Sequence, residues 1–402
     1  MPFIKEIQKF RSVSIVGMAK NTGKTTCLNY VIRRLQEEDK KIALTSIGVD
    51  GEERDILYDT PKPRIVLHED MVFVTSEQDF EQCEFPTEIL SVSDRATALG
   101  RLITARAKGS GKVVLSGPSD SAWLHTTLME LPKYGVELTL VDGALSRMSL
   151  ASPAVTDAMI LCTGAACSPQ LSELIRRTKF RCKLIELEQV DDGLQKKLQA
   201  LENGIWVENP MNGEWEKIGN SVFTFKSAII KQADVSTPLR SARHDDVKMG
   251  ENGVNDFAAL PQNHSLPILN KDAVIPSVAH EVCEVEESPC YKVTQTTSPR
   301  QRFFLSGAIT DDFFKLLNAQ KNHNTHLIIT DFTKLFITPL TYDNFLRNGG
   351  KINVLQKAKL LAICTNPTSP EGTHLDPIEL REQMQKALGV EVYDIMNQKK
   401  NR

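Results

Sequence analysis

Short apolar or β-branched runs alternate along this chain with longer stretches whose apolar positions recur at helical spacing. Between residues 12 and 188 the order is "SVSIV", a helical stretch over 24–38, "KIALTSI", the helical stretch "DRATALGRLITARA", "KVVLSG", the helical stretch "SAWLHTTLMEL", "VELTLVDG" and "AMILCTG". Such alternation predicts a mostly parallel sheet with helices on both faces. The run 113–115 is continuously apolar and 138–141 is apolar but for Thr139, which suits strands buried on both sides, because a strand with one wet face alternates with charged or strongly polar residues.

The periodicity fades over 232–300, where six prolines fall among Ser, Asn, Asp and Glu. So long a structureless stretch inside one domain is unusual, and it reads as a linker or extended arm. From Arg302 the alternation resumes with "RFFLSG", a helix beginning near Asp311, "THLIITD", a helical stretch near "YDNFLRNGG", "AKLLAICT", the helix "DPIELREQMQKAL" and "VEVYDI". The expected fold class is α/β, with one domain over 1–231, the arm over 232–300 and a smaller C-terminal α/β domain over 301–402.

Composition narrows the function classes by exclusion. The chain has 402 residues, 41% hydrophobic and 25% charged, as ordinary globular domains do. Its 48 basic and 51 acidic residues leave a formal charge of −3, so no overall basic field exists to hold nucleic acid or an anionic membrane. No apolar stretch reaches the roughly 18 residues that span a bilayer, and "MPFIKEIQKF" lacks the apolar core of a signal peptide, so a cytoplasmic protein is expected. Eight cysteines are scattered with no C-x-x-C pair, which predicts reduced, buried thiols and no zinc site. The histidines form no metal-ligand spacing, and no nucleophile elbow is present.

The candidate chemistry lies in "GMAKNTGKTT", which follows the run "SVSIV" and opens a helix. A strand, a glycine turn and a Lys-Thr-Thr helix start supply what a polyphosphate needs: backbone N–H groups, a lysine for the β and γ oxygens, and a hydroxyl for magnesium. Gly17, Lys20, Asn21, Thr22, Gly23, Lys24, Thr25 and Thr26 form the candidate nucleotide-binding set, with Lys24 on the phosphates and Thr25 on magnesium. The usual spacing places four residues between the two glycines, whereas five lie between Gly17 and Gly23, and Met18 takes the ordinary first-glycine position. That spacing is similar to the "G-x-x-G-x-x-GKTT" loop of Mur-type ligases, with Lys20 where those carry their middle glycine.

Hydrolysis also requires a carboxylate for the magnesium shell or the attacking water. Asp142, ending "LTLVD", is the candidate magnesium carboxylate, with Asp120 in "GPSD" as its competitor. In "SIGVDGEERD", Asp50 is a candidate for orienting water, ahead of Glu52, and an acidic solvated turn is the plain alternative. Lys20 reads either as a second lysine acting across a dimer or as a solvated side chain, and Arg147 as a phosphate or partner contact or a surface arginine. The guanine-reading N-K-x-D pattern is missing, since "TKFR" at 178–181 lacks the Asp and "NKDA" at 270–273 follows no expected strand, which favours ATP over GTP. The strand ends "LSGAITDD", "ITDFT" and "CTNPTSPEG" lie at the edge where open α/β sheets bind ligands.

Two stretches together, "SVSIVGMAKNTGKTTCLNYVI" and "VDGALSRMSLASPAVTDAMILCTGA", resemble P-loop NTPases and, within them, the reactivase subunit associated with adenosylcobalamin-dependent lysine 5,6-aminomutase. The resemblance covers mainly the first 190 residues and carries over only at Gly17, Gly23, Lys24, Thr25 and Thr26. It implies a helper that uses ATP and magnesium, together with an ATPase partner of mismatch-repair type, to restore an inactivated aminomutase. A homo-oligomer is compatible with it. The enzyme alternative is a Mur-like ATP-dependent ligase or synthetase acting on a small carboxylate.

Overall fold

Every residue of the run Ser12–Gly17 is buried, and the run forms strand β1. That pattern belongs to a strand covered on both faces. The computed structural model describes residues 2–47, 65–144, 152–220, 301–319 and 324–396, and all of them belong to one compact unit. In it β1 lies inside a nine-stranded sheet. The spatial order is β18 (Val392–Asp394), β17 (Leu360–Asn366), β9 (Ala158–Gly164), β1, β8 (Leu138–Ala144), β2 (Ile42–Ser46), β4 (Val72–Ser76), β6 (Gly100–Ala107) and β5 (Thr87–Thr97). From β18 to β4 all neighbours run parallel. The last two strands are antiparallel.

Alternate residues of these strands feed separate cores. Val13 and Ile15 of β1, Leu140 of β8 and Ile160 of β9 pack against helices α1 (Phe3–Ile7) and α2 (Lys24–Gln36). On the opposite face Val16, Met159 and Leu161 meet α5 (Leu171–Ile185) and α9 (Pro377–Leu388), while Ala43, Val74 and Val141 meet α4 (Ser121–Glu130). The amphipathic spacing Cys27, Leu28, Val31 and Leu35 places one buried stripe of α2 on the sheet. A one-turn helix, α3 (Glu77–Phe80), follows β4 and is capped by the Ser76 hydroxyl.

A second sheet of five strands has the order β11 (Trp215–Gly219), β10 (Ile205–Glu208), β12 (Gln301–Leu305), β14 (Thr325–Ile329) and β16 (Lys351–Val354). β12, β14 and β16 are parallel, joined through α7 (Asp311–Ala319) and α8 (Pro339–Arg347), and β10 runs antiparallel to both neighbours. Its inner face, with Phe303, Leu305, Leu327 and Ile329, joins Phe313, Phe314 and Phe345 in the same core as Val16 and Leu161 of the large sheet. Its outer face, with Phe304 and Ile328, packs on Leu198 of α6 (Asp192–Gln199). Two short pairs complete the description, β3 (Ile65–Leu67) with β7 (Gly111–Val113) and β13 (Ile309–Thr310) with β15 (Leu335–Phe336). Among the described residues, no helix is long and apolar enough to cross a membrane.

The architecture is α/β with a large, mostly parallel sheet, and three expectations need correction. Residues 301–402 do not make a domain of their own: β17 and β18 complete the large sheet, and β10 and β11 join the small one. The stretch "DRATALGRLITARA" is an antiparallel hairpin, with Thr97 opposite Gly100 and Gly100 at φ 91° in the turn. Pairing with β4, which buries Leu102, Ile103, Ala105 and Ala107, outweighs the helical spacing of Ala and Leu. "KVVLSG" supplies only the three-residue β7, outside the large sheet. The arm expected over 232–300 lies outside the described residues.

Candidate functional site

β1 ends at Gly17, and the chain turns tightly before α2 begins at Lys24, with Gly23 as its N-cap at φ 81°. Asn21 also adopts the left-handed region, at φ 60°. Glycine and asparagine are the residues that enter this region at least cost, so the loop's conformation is written into "NTG". Gly17 is required for space: a Cβ there would lie 2.5 Å from Thr22 Oγ1 and 3.1 Å from the Ala19 carbonyl. Thr22 is itself buried, and its hydroxyl donates to Ala19 O at 3.1 Å. The Met18 N–H donates to Cys162 O at 2.8 Å, which ties the loop to β9.

Gly23 has no side chain with which to cap α2, and the first turn of α2 contains no acidic residue. The Lys24, Thr25 and Thr26 N–H groups at such a helix start have no intrahelical acceptor. Together with the helix dipole they form an anion-ready end.

Lys24 Nζ lies 3.3 Å from Asp142 Oδ1, and the two side chains are 19% and 15% exposed. The strand register explains the meeting, since Asp142 stands level with Ile15 on β1 and with Ser46 on β2. The Ser46 hydroxyl donates to the Asp142 carbonyl at 3.2 Å and steadies that strand end. The ion pair is close without being aligned as a hydrogen bond, and Asp142 Oδ1 is buried with no hydrogen-bond donor among the described residues. A buried carboxylate oxygen without a donor marks a place for a cation or its water. Magnesium takes one or two protein oxygens and fills its shell with water and phosphate oxygens. Asp142 and the half-buried Thr25 fit that donor set. Among the described residues, no cluster of three His, Cys, Asp or Glu could hold a metal unaided.

The remaining candidates separate clearly. Lys20 is exposed at the loop, and Thr26 is half-buried in the first turn of α2. Asp120 is engaged in structure: Oδ1 accepts the Trp123 N–H at 2.8 Å as the cap of α4, and Oδ2 accepts Arg95 at 3.0 Å. The Trp123 N–H foremost, with Arg95, holds its carboxyl below the ordinary range. These contacts give Asp120 a structural task at the start of α4. Asp50, Glu52, Asp55 and Arg147 lie outside the described residues. His326 is a satisfied core histidine, with Nε2 2.9 Å from Asn353 Oδ1.

Comparison with protein-family models, with curated proteins and with solved structures finds no match to this chain.

Asn366, at the end of β17, was not a candidate in the sequence. Its Nδ2 donates to Asn21 O at 2.9 Å, and its Oδ1 accepts the Thr368 N–H at 3.1 Å and the Thr368 hydroxyl at 2.9 Å. Its Cβ would be 3.2 Å from a Cβ placed on Gly23, so it braces both left-handed positions of the loop. Only "CTNPTSPEG" at a strand end hinted at it, with 345 residues separating the partners. Three fully buried cysteines meet between α2 and the sheet, Cys27 on α2, Cys162 on β9 and Cys364 on β17, with Cys27 Sγ 3.7 Å from Cys364 Sγ. Hydrogen bonding from Cys27, together with burial, pushes the Cys162 thiol well above its ordinary range. The arrangement presents backbone donors and one lysine to an anion, and a carboxylate to a cation.

Proposed function

We propose that the chain binds magnesium ATP at the loop 17–26 and that hydrolysis drives conformational work on a partner protein in the cytoplasm. The observation that carries this reading is Lys24 resting 3.3 Å from the undonated Asp142 Oδ1 at an uncapped helix start. A polyphosphate arriving there offers Lys24 a better partner than Asp142, because several oxygens replace one poorly aligned carboxylate. Lys24 would then bind the β and γ oxygens, the loop N–H groups the remaining oxygens, and Thr25 and Asp142 the magnesium shell. Magnesium would neutralise charge on the phosphates. Asp50 is assigned to orienting water.

Exchange of Lys24 between Asp142 and phosphate gives the strand end two states, as a nucleotide-driven switch requires. The resemblance in the first 190 residues extends the reading to a subunit of an ATP-dependent reactivase for lysine 5,6-aminomutase, with a mismatch-repair-type ATPase partner. Phosphate release should be measured with magnesium ATP alone, with the aminomutase and its ATPase partner, and with small carboxylic acids. Severalfold stimulation by the proteins supports the proposal. Release that appears only with a small acid contradicts it and supports a ligase.

A further inference from the structure

The small sheet has a ligand edge of its own. The segments that follow β12, β14 and β16 enclose a cavity of about 340 Å³, roofed by Ser152 and Val155 from the segment that enters β9. Open α/β sheets hold ligands at the carboxyl ends of their strands. A volume of this order matches the lower end of small-molecule sites, roughly 300 Å³.

The wall chemistry is unequal. Phe304 and Leu355 are buried apolar residues that line one side. Asp331 is 2% exposed, and its carboxylate is already saturated. Its Oδ2 accepts the Ser152 hydroxyl at 2.8 Å, and its Oδ1 accepts the Thr333 N–H at 2.9 Å and the Thr333 hydroxyl. Lys334, half-buried one turn further on, has no carboxylate partner among the described residues. The Thr330 hydroxyl is buried at the wall without a hydrogen-bond partner among the described residues. A cation and an orphaned hydroxyl therefore face a cavity of mixed lining, in which Phe304, Leu355 and Val155 are apolar and Gln199, Asn203 and Gln356 polar, and buried polar groups ordinarily find partners.

We propose that this cavity binds a small organic monocarboxylate carrying a polar substituent on a short carbon chain. Lys334 pairs with the carboxylate, Thr330 with the substituent, and Phe304, Leu355 and Val155 enclose the chain. Among the described lining residues the charges are Lys334 and the donor-saturated Asp331, with no arginine, so the wall tolerates one added negative charge at Lys334 far better than the two of a phosphate dianion. Among the described residues the helix start at the cavity, Ser121 of α4, is already capped by Asp120 and offers no further anion site. The site stands independently of nucleotide binding, since Lys24 and Asp142 are not among its walls.

The test is calorimetric titration of the full chain with 2-hydroxybutyrate, butyrate and inorganic phosphate at matched ionic strength. Lys334→Met, Thr330→Val and Lys24→Ala are titrated in parallel. The expected result is saturable binding of 2-hydroxybutyrate that weakens at least tenfold in Lys334→Met and is unchanged in Lys24→Ala. Thr330→Val, which removes an orphaned hydroxyl and keeps its shape, should weaken 2-hydroxybutyrate severalfold and leave butyrate unaffected. Absence of saturable binding of both acids overturns the proposal. So does equal affinity in Lys334→Met, loss in Lys24→Ala, or phosphate binding that depends on Lys334.

Discussion

At the end of the large sheet, ten consecutive residues, 17–26, carry the loop, the lysine and the hydroxyl, whereas the cavity on the small sheet is assembled from six separate segments. As proposed, the first region would work through backbone N–H groups, which every residue but proline possesses, so its trace in the sequence is conformational: Gly17 for space, Asn21 and Gly23 for the left-handed turn. The second works through side chains that meet only after β12, β14, β16 and the segment 152–156 have packed. Anion sites made from backbone are local and readable, while pockets made from side chains are properties of the tertiary fold.

The largest expected effect tests whether the two regions share one core. Phe314→Ala removes a fully buried ring from the cluster that also contains Val16 and Leu161. It should cost about 3–5 kcal/mol and lower one cooperative urea transition seen equally at both sheets. Two separate transitions, with only the second shifted, would break the shared core.

Next in size is Gly117→Ala, because a Cβ there would fall 1.6 Å from the Ser46 carbonyl oxygen. A clash with backbone cannot be relieved by a side-chain rotation, so about 3 kcal/mol should be lost in denaturant unfolding. Wild-type stability would show that the segment after β7 can retreat from β2.

Asn366→Ala leaves the Asn21 carbonyl and the Thr368 donors without their partner and should cost about 1–3 kcal/mol. Any bound nucleotide should weaken with it. By contrast Lys334→Met, in a cavity wall where Lys334 has no ion pair among the described residues, should change stability by less than about 0.5 kcal/mol. Equal losses in both variants would erase the distinction between a braced loop and a preformed cavity.

The smallest effect concerns thiol chemistry. Burial pushes the Cys182 thiol up to about 12, and Cys162 is raised by its Cys27 hydrogen bond and by burial. Since only the thiolate reacts, neither should be alkylated in the native protein at pH 8 and both should be after unfolding. Peptide mass spectrometry distinguishes the two states, and rapid native labelling would show that the floor under α2 opens.

What the sequence made legible follows from the same contrast. The segment from β1 through the loop to α2 is contiguous, and so is the apolar run that delivers Asp142 at the end of β8. The stretch 94–107 of the hairpin has the spacing of a helix, because Ala and Leu at near-helical positions do not reveal that β4 offers an edge to pair with. The division of 301–402 between two sheets was also hidden. β17 seats itself beside β9 by burying Ile363 and Cys364, and such non-local pairing leaves no local signal. Asn366 was missed for that reason, since its importance exists only once β17 lies beside β9.

The most direct measurement is calorimetric binding of magnesium ATP to the wild-type chain and to Lys24→Ala, with unfolding curves confirming that both are folded. The account predicts saturable binding by the wild type and a loss of at least about a hundredfold in Lys24→Ala, or about 2.7 kcal/mol. No binding by the wild type, or equal binding by the folded variant, would contradict it and leave the loop 17–26 as a structural turn.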